Sequence, residues 1–302
     1  MNPARKRAYI ELLIVSIIWG AATPVIKYTL GGFSPAVFLT YRFFISAVLA
    51  LMIFAATGFK FPKSLKVLGL TLFNGFLLTT VSLGLLFLGT DKTTSIDSNV
   101  ISTIGPITIA LAGVFFLRER VTKKEAVGIL IALTGTLITI IEPVLKSGGF
   151  GGLEGNLLVF ASVIITTVNA VLAKMILRDN VDALTATNLS FIVGFITILP
   201  FGLPAILNSG FKVITSAPLS YHLGVLYMAL LSGTLAYFLW HKAEKSIEIG
   251  EANLSAYLYP IFGTPLSVFW LGEKITLPFI IGAVVIAAGV FLAEYKRQRK
   301  SA

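Results

Sequence analysis

The sequence predicts an all-α polytopic membrane protein with ten transmembrane helices arranged as two inverted five-helix repeats, and three observations carry that prediction. Apolar residues (AVILMFWYC) make up 56% of the 302 residues and only 13% are charged, against roughly 25% charged in a soluble globular chain. The apolar residues gather in runs of about 20, the length at which an α-helix crosses a hydrocarbon core about 30 Å thick. One stretch of sequence also recurs, in the same register, 154 residues further on.

Charges, Pro/Gly and Asn/Asp divide the apolar runs into spans at 8–29, 35–57, 66–88, 95–117, 124–141, 153–177, 183–208, 220–240, 250–271 and 277–293. The first run follows Arg5, Lys6 and Arg7, as the core of a signal peptide would. It exceeds the usual 7 to about 15 apolar residues of such a core and carries Trp19, Pro24 and Lys27, so it reads as a permanent span. With ten spans and the amino terminus inside, the inner ends collect 18 Lys/Arg and the outer ends 5, with Arg42 left within a span. Basic loops resist translocation, so both termini are expected in the cytoplasm and the chain in the cytoplasmic (inner) membrane. The net charge of +10 is thereby accounted for by orientation, and no nucleic-acid partner is expected. The absence of cysteine excludes disulfides, thiolate metal sites and cysteine nucleophiles.

The recurrence pairs Asn99 with Asn253, Pro106 with Pro260, Leu117 with Leu271, Glu119 with Glu273, Thr122 with Thr276, Gly128 with Gly282 and Gly135 with Gly289. Because the offset spans five helices, an odd number, the second copy is expected upside down in the bilayer, as in alternating-access carriers. The chain accordingly divides into 1–147, carrying helices 1–5, and 148–302, carrying helices 6–10, joined by the glycine-rich link at 148–152.

Trp19-Gly20 with Pro24 and Lys27, Pro35 with Arg42-Phe43, and the duplicated P-x(10)-L-x-E-x-x-T-x(5)-G-x(6)-G pattern resemble the EamA-type branch of the drug/metabolite transporter superfamily. The resemblance covers nearly the whole chain. It implies a five-plus-five inverted-repeat carrier with both termini inside, moving a small metabolite, commonly an amino acid and often outward.

Polar and aromatic residues within the spans are the candidates for lining a path. Ser16, Trp19, Thr23 and Lys27 share one face of helix 1. Trp19 lies near mid-span, away from the interfacial belt that tryptophan favours, and reads as a cavity wall or gate. Ser162, Thr166 and Asn169 form a similar stripe on helix 6; Thr166 and Asn169 are expected either to meet substrate or to tie helices together. Asn99 and Ser102 lead into Pro106, and Asn253 and Tyr257 into Pro260. A mid-helix proline frees a carbonyl, so this pair is expected to bend the helices and to serve in gating. On helix 8, Tyr227 and Tyr237 present ring faces and hydroxyls, whereas Trp240 and His241 read as interfacial anchors. Lys27 is placed to snorkel outward; Arg42 must either brace helix 2 through Asp97 or attract an anionic group such as a carboxylate. Glu119 and Glu273, beside Thr122 and Thr276, read as helix caps.

All 14 acidic residues fall near helix ends or in loops. A mid-membrane carboxylate relay is therefore missing, and facilitated diffusion or exchange is expected rather than proton coupling. No G-x(4)-G-K-[ST] phosphate loop occurs, and the two histidines, His222 and His241, lie toward opposite faces. No enzyme, cofactor or metal is expected. The substrate reading is a small polar metabolite, foremost an amino acid or related zwitterion or anion; the alternatives are an exporter of lipophilic cations or a lipid-handling scaffold. The expected partners are the bilayer and a small molecule, with monomer and homodimer both open.

Overall fold

The computed structural model describes residues 3–59, 62, 64–92, 101–102, 104–118, 122–147, 153–271 and 277–294, and among these the ordered elements are helices, with no strand. In chain order they are α1 (Pro3–Leu30), α2 (Pro35–Thr57), α3 (Leu65–Lys92), α4 (Gly105–Leu117) and α5 (Lys123–Ser147). There follow α6 (Leu153–Arg178), α7 (Ala183–Asn208), α8 (Leu219–Glu244), α9 (249–271) and α10 (Leu277–Glu294). Six of them, α1, α2, α3, α6, α7 and α8, are long and apolar enough to cross a bilayer. Their outer faces expose side chains such as Phe44, Leu51, Met52, Ile196 and Phe201, which water would not tolerate in such number and lipid does. The chain is a multi-pass, all-α membrane protein.

Local chemistry sets the helix limits. Ser34 accepts from the Val37 N–H ahead of Pro35, whose missing N–H is harmless at the start of α2, and Gly58 ends that helix at φ +78°. Asp182 Oδ2 caps α7 through the Leu184 N–H at 3.1 Å. At α5 the cap is a reciprocal box: the Thr122 N–H donates to Glu125 Oε2 at 2.6 Å, and the Glu125 N–H donates to Thr122 Oγ1 at 3.2 Å. Capping at this helix is thus carried by Thr122 and Glu125; Glu119, Glu273 and Thr276 lie outside the described residues.

Pro106 and Pro260 stand at matching places, 154 residues apart. Each is the second residue of a 13-residue α-helical segment, Gly105–Leu117 and Tyr259–Leu271. Pro106 follows the turn at Ile104, where the missing N–H breaks no intrahelical bond, whereas Pro260 lies within α9 and withholds a donor from the turn before it. The interruption lies just upstream of Pro260, where a 3₁₀ stretch, Leu254–Leu258, separates Ile249–Asn253 from Tyr259–Leu271.

The two 13-residue segments coincide at the offset of 154 residues, as do the starts of α3 and α8 and of α5 and α10. α5 and α10 pack backbone to backbone through the repeated glycines. A Cβ on Gly135 would lie 2.7 Å from the Gly282 carbonyl, and one on Gly289 would lie 2.7 Å from the Gly128 carbonyl. Those are the same two positions with the halves exchanged. α3 and α8 each contain a π-helical stretch, Leu77–Ser82 and Tyr227–Leu235.

At the end of the bundle bearing the amino terminus, α1 is clasped to the second half of the chain. Arg5 and Tyr9 both donate to buried Glu251, and Lys242 pairs with buried Glu11 at 2.7 Å. A cavity of about 350 Å³, lined by Pro3, Ala4, Arg7, Glu11, Lys242 and Ser246, opens beside this clasp. At the other end, Tyr28 Oη donates to Ser220 Oγ at 2.8 Å and its ring lies 4.9 Å from that of Trp270.

Candidate functional site

Between these two tied ends, five helices bring together rings that are distant in the chain. Trp19 of α1 stands 5.0 Å from Tyr237 and 5.2 Å from Trp240, both on α8, and 6.0 Å from Tyr259 on α9. Phe191 of α7 lies 5.8 Å edge-on to Tyr237 and 6.1 Å, stacked, from Phe43 of α2. Such edge-on and offset pairs suit the ring quadrupoles and fix the rings against one another.

The π-helical stretch of α8 faces this cluster and takes part in it. A π-turn widens the helix and disturbs its i→i−4 ladder, leaving carbonyls for outside donors. Trp19 Nε1 donates to the Ser232 carbonyl at 2.9 Å, and Ser46 Oγ of α2 donates to the Ala229 carbonyl at 3.3 Å. In the opposite sense, Tyr227 Oη donates to the Ile18 carbonyl of α1 at 2.6 Å.

Arg42 borders the same cluster. It is 1% exposed, its guanidinium carbon is 5.3 Å from the Phe43 ring centre, and the Tyr237 phenol lies within electrostatic range of it. Among the described residues its Nε finds no hydrogen-bond partner, and none of their ion pairs includes it. Asp97, the brace expected from the sequence, lies outside the described residues.

The other sequence candidates separate into groups. Thr166 shares a 2.7 Å hydrogen bond with Ser82 in the π-helical stretch of α3, and Asn169 Nδ2 donates to the Asn74 carbonyl and to its Oδ1 at 3.0 and 2.9 Å. Ser16 Oγ donates to the Leu12 and Ser255 carbonyls at 2.8 and 3.1 Å, tying α1 to α9. Asn253 Nδ2 is turned back on its own helix, to the Ile249 carbonyl at 2.8 Å. Tyr257 is buried with Ala110, Ile129, Ala132, Leu254 and Ile286, apart from the Trp19 cluster. Lys27 and Ser102 are exposed. Thr23 lies on α1 with its side chain outside the description, and Asn99 falls outside the described residues.

Two residues read as interfacial anchors are interior. Trp240 is 9% exposed against Trp19, and His241 is 3% exposed with Nδ1 sharing a 2.9 Å hydrogen bond with Thr187 Oγ1. A tryptophan at the end of an apolar run looks interfacial until its neighbours are known. Phe191, Tyr259 and the Ala229 and Ser232 carbonyls were not foreseen at all, since they carry no local mark of function. The nearest approach to a metal-binding arrangement among the described residues is Glu125, Glu248 and Glu251, with carboxylate oxygens within 4.8 Å. Hydrogen bonds from Arg5, Tyr9 and the Thr122 N–H engage two of the three, which makes the cluster part of the clasp at the helix ends.

Rings from five helices and a buried guanidinium thus lie together in the interior of a polytopic membrane protein. The model of the EamA-like transporter family matches the chain twice, at residues 6–141 and 153–295. The chain belongs to that family of transporters, within the drug/metabolite transporter superfamily, and is not an enzyme. It is 28% identical over 299 residues to a probable amino-acid metabolite efflux pump of Salmonella typhimurium, covering 96% of this chain and 95% of that protein. An uncharacterized transporter of Bacillus subtilis is 28% identical over 98% of this chain and 89% of its own length. A probable terminal-alkyne amino-acid exporter of Streptantibioticus cattleyicolor is 22% identical over 95% of this chain and 93% of its own. A solved crystal structure shares the fold, with a TM-score of 0.73 at 18% identity, over 95% of this chain and 96% of that one.

Proposed function

We propose that the chain exports a small polar metabolite, foremost an amino acid or related zwitterion or anion, by alternating access across the cytoplasmic membrane. The observation that carries this reading is the interior cluster of Trp19, Tyr237 and Phe191 with Arg42 at its edge, where among the described residues no ion pair includes Arg42. In this reading ten spans form two inverted repeats, 1–147 and 148–302, with both termini in the cytoplasm. Support comes from the coinciding helix limits at an offset of 154, the reciprocal glycine contacts of α5 and α10, and the family model matching each half. The relatives named as amino-acid exporters support the substrate class.

The site centres on Trp19, Tyr227, Tyr237 and Arg42, while Ser16, Thr166, Asn169, Asn253 and Tyr257 hold the helices around it. Pro106 and Pro260 act as gates: neither can donate a backbone hydrogen bond to the turn before it, which eases a change of backbone direction at each place. Turnover is expected to fall in both Pro106→Ala and Pro260→Ala, and normal turnover in both variants removes the gating role.

A carrier of lipophilic cations is the second reading, favoured by the ring faces around Trp19. Among the described residues it lacks the central acid such a substrate wants: the buried Glu125, Glu244 and Glu251 stand in the first or last turns of their helices, and Glu11 is paired with Lys242. Transport by reconstituted protein in proteoliposomes, against a panel of amino acids, organic acids and lipophilic cations, separates the readings. Uncoupled movement or exchange is expected; substrate-dependent acidification or alkalinisation of the lumen would overturn that part.

A further inference from the structure

Arg42 is a cation buried in a membrane protein with no ion-pair partner among the described residues, and that demands an explanation. Taking a guanidinium out of water costs several kcal/mol even after local relaxation, and in a bilayer such groups pair, reach water, or mark a ligand path. Arg42 does not snorkel, being 1% exposed, and lies over the Phe43 ring. A ring face offsets only part of the lost hydration. Tyr237 is joined to Arg42 through Phe43, which lies under the guanidinium, and Phe191, stacked on Phe43 at 6.1 Å and edge-on to the Tyr237 ring at 5.8 Å.

The surroundings define what would fit between these two groups. Both are donors, one ionic and one neutral. Phe43 and Phe191 are stacked on one side, and Trp19 meets the Tyr237 ring on the other. Ser46, one turn along α2 from Arg42, is committed to the Ala229 carbonyl and Trp19 Nε1 to the Ser232 carbonyl, so neither of those donors competes. A planar oxyanion with an apolar remainder matches this set: two N–H groups of a guanidinium form a fork suited to a carboxylate, a phenol hydroxyl takes a further lone pair, and the rings cover the remainder.

We infer that Arg42 and Tyr237 form a carboxylate receptor in the interior of the carrier, so that transport requires a carboxylate on the substrate and an amino group is secondary. The inference rests on the transport reading above and narrows it. Arg42 supplies the charge and the planar fork; Tyr237 aligns the second oxygen. In the unliganded protein Arg42 is then an uncompensated charge that the substrate neutralises, which favours an occupied carrier over an empty one during the crossing.

The test uses the full-length protein in two assays. Proteoliposome uptake compares an amino acid with an apolar side chain, its deaminated acid and its decarboxylated amine, in the wild type, Arg42→Gln, Arg42→Lys and Tyr237→Phe. The wild type is expected to carry the first two and to reject the amine. Arg42→Gln should lose about ten- to hundredfold in uptake of both carboxylates, the range of one charge-assisted hydrogen-bonded pair. Arg42→Lys should keep part of it, and Tyr237→Phe should raise KM several-fold with little change in maximal rate. The second assay is thermal unfolding without and with the deaminated acid. Arg42→Gln should unfold at the same or higher temperature than wild type when empty, and should lose the ligand-induced rise.

Equal transport of acid and amine by the wild type, or Arg42→Gln keeping its carboxylate preference, overturns the receptor while leaving the transport reading intact. A lower unfolding temperature of empty Arg42→Gln, matched by Asp97→Asn and not worsened in the double variant, shows a structural ion pair and overturns it too. No transport of any carboxylate by the wild type overturns both.

Discussion

Trp19 of α1 and Asn169 of α6 each reach a helix that contains a π-helical stretch, α8 and α3 respectively. One does so with an indole and the other with an amide. At the α1–α8 seam, Trp19 gives a single hydrogen bond to the Ser232 carbonyl and otherwise meets rings. At the α6–α3 seam, Asn169 is held twice by Asn74, and Ser82 is held by Thr166. Amide and hydroxyl pairs saturate one another and leave little for a ligand, whereas ring faces and an unmatched guanidinium remain available. The two seams thus differ in kind: one presents ring faces, the other holds helices together through paired polar groups.

The largest expected effect lies on the aromatic side. Trp19→Ala removes the ring contacts and the bond to Ser232, and should lower uptake at least about tenfold while costing about 3 kcal/mol of stability. Trp19→Phe should recover part of the uptake, as proteoliposome rates will show; full activity in Trp19→Ala would erase the contrast between the seams. On the polar side, Asn169→Leu strands the Asn74 amide and should cost about 2 kcal/mol in denaturation, with KM unchanged. A several-fold rise in KM would instead place Asn169 in the substrate path. The smallest effect belongs to Ser82→Ala and Thr166→Val, about 1 kcal/mol each or less, as for hydroxyl bonds between membrane helices. A double-mutant cycle should show that the two losses are not additive, because both remove the same bond.

Much of this contrast can be traced to the sequence, and part of it cannot. Hydropathy marks the six long apolar helices because a bilayer-crossing helix must be apolar along nearly its whole length. The 154-residue recurrence anticipates the matching limits of α4 with the last part of α9, down to Gly105–Leu117 and Tyr259–Leu271. The polar stripe Ser16, Trp19, Thr23 points to the right face of α1, since helical spacing is a local property. The π-helical stretch at Tyr227–Leu235 has no comparable signature, because an extra residue in a turn is stabilised by what packs outside it. Trp19 and Ser46 on other helices supply those outside contacts. Likewise Asn169 looks the same in sequence whether its partner is a substrate or Asn74. The partner lies 95 residues away, and only folding reveals it.

The exchange of glycines between α5 and α10 has a further consequence. Gly135 meets Gly282 and Gly289 meets Gly128, the second contact being the first with the two helices exchanged. That is the contact pattern of a two-fold homodimer, realised within one polypeptide. Such an interface is tested twice by every pair of substitutions: a methyl group added to Gly135 strikes Gly282, and its equivalent on Gly289 strikes Gly128. The two halves are therefore not independent in what they tolerate, and a bulky residue accepted on one helix must be answered by a concession on the other.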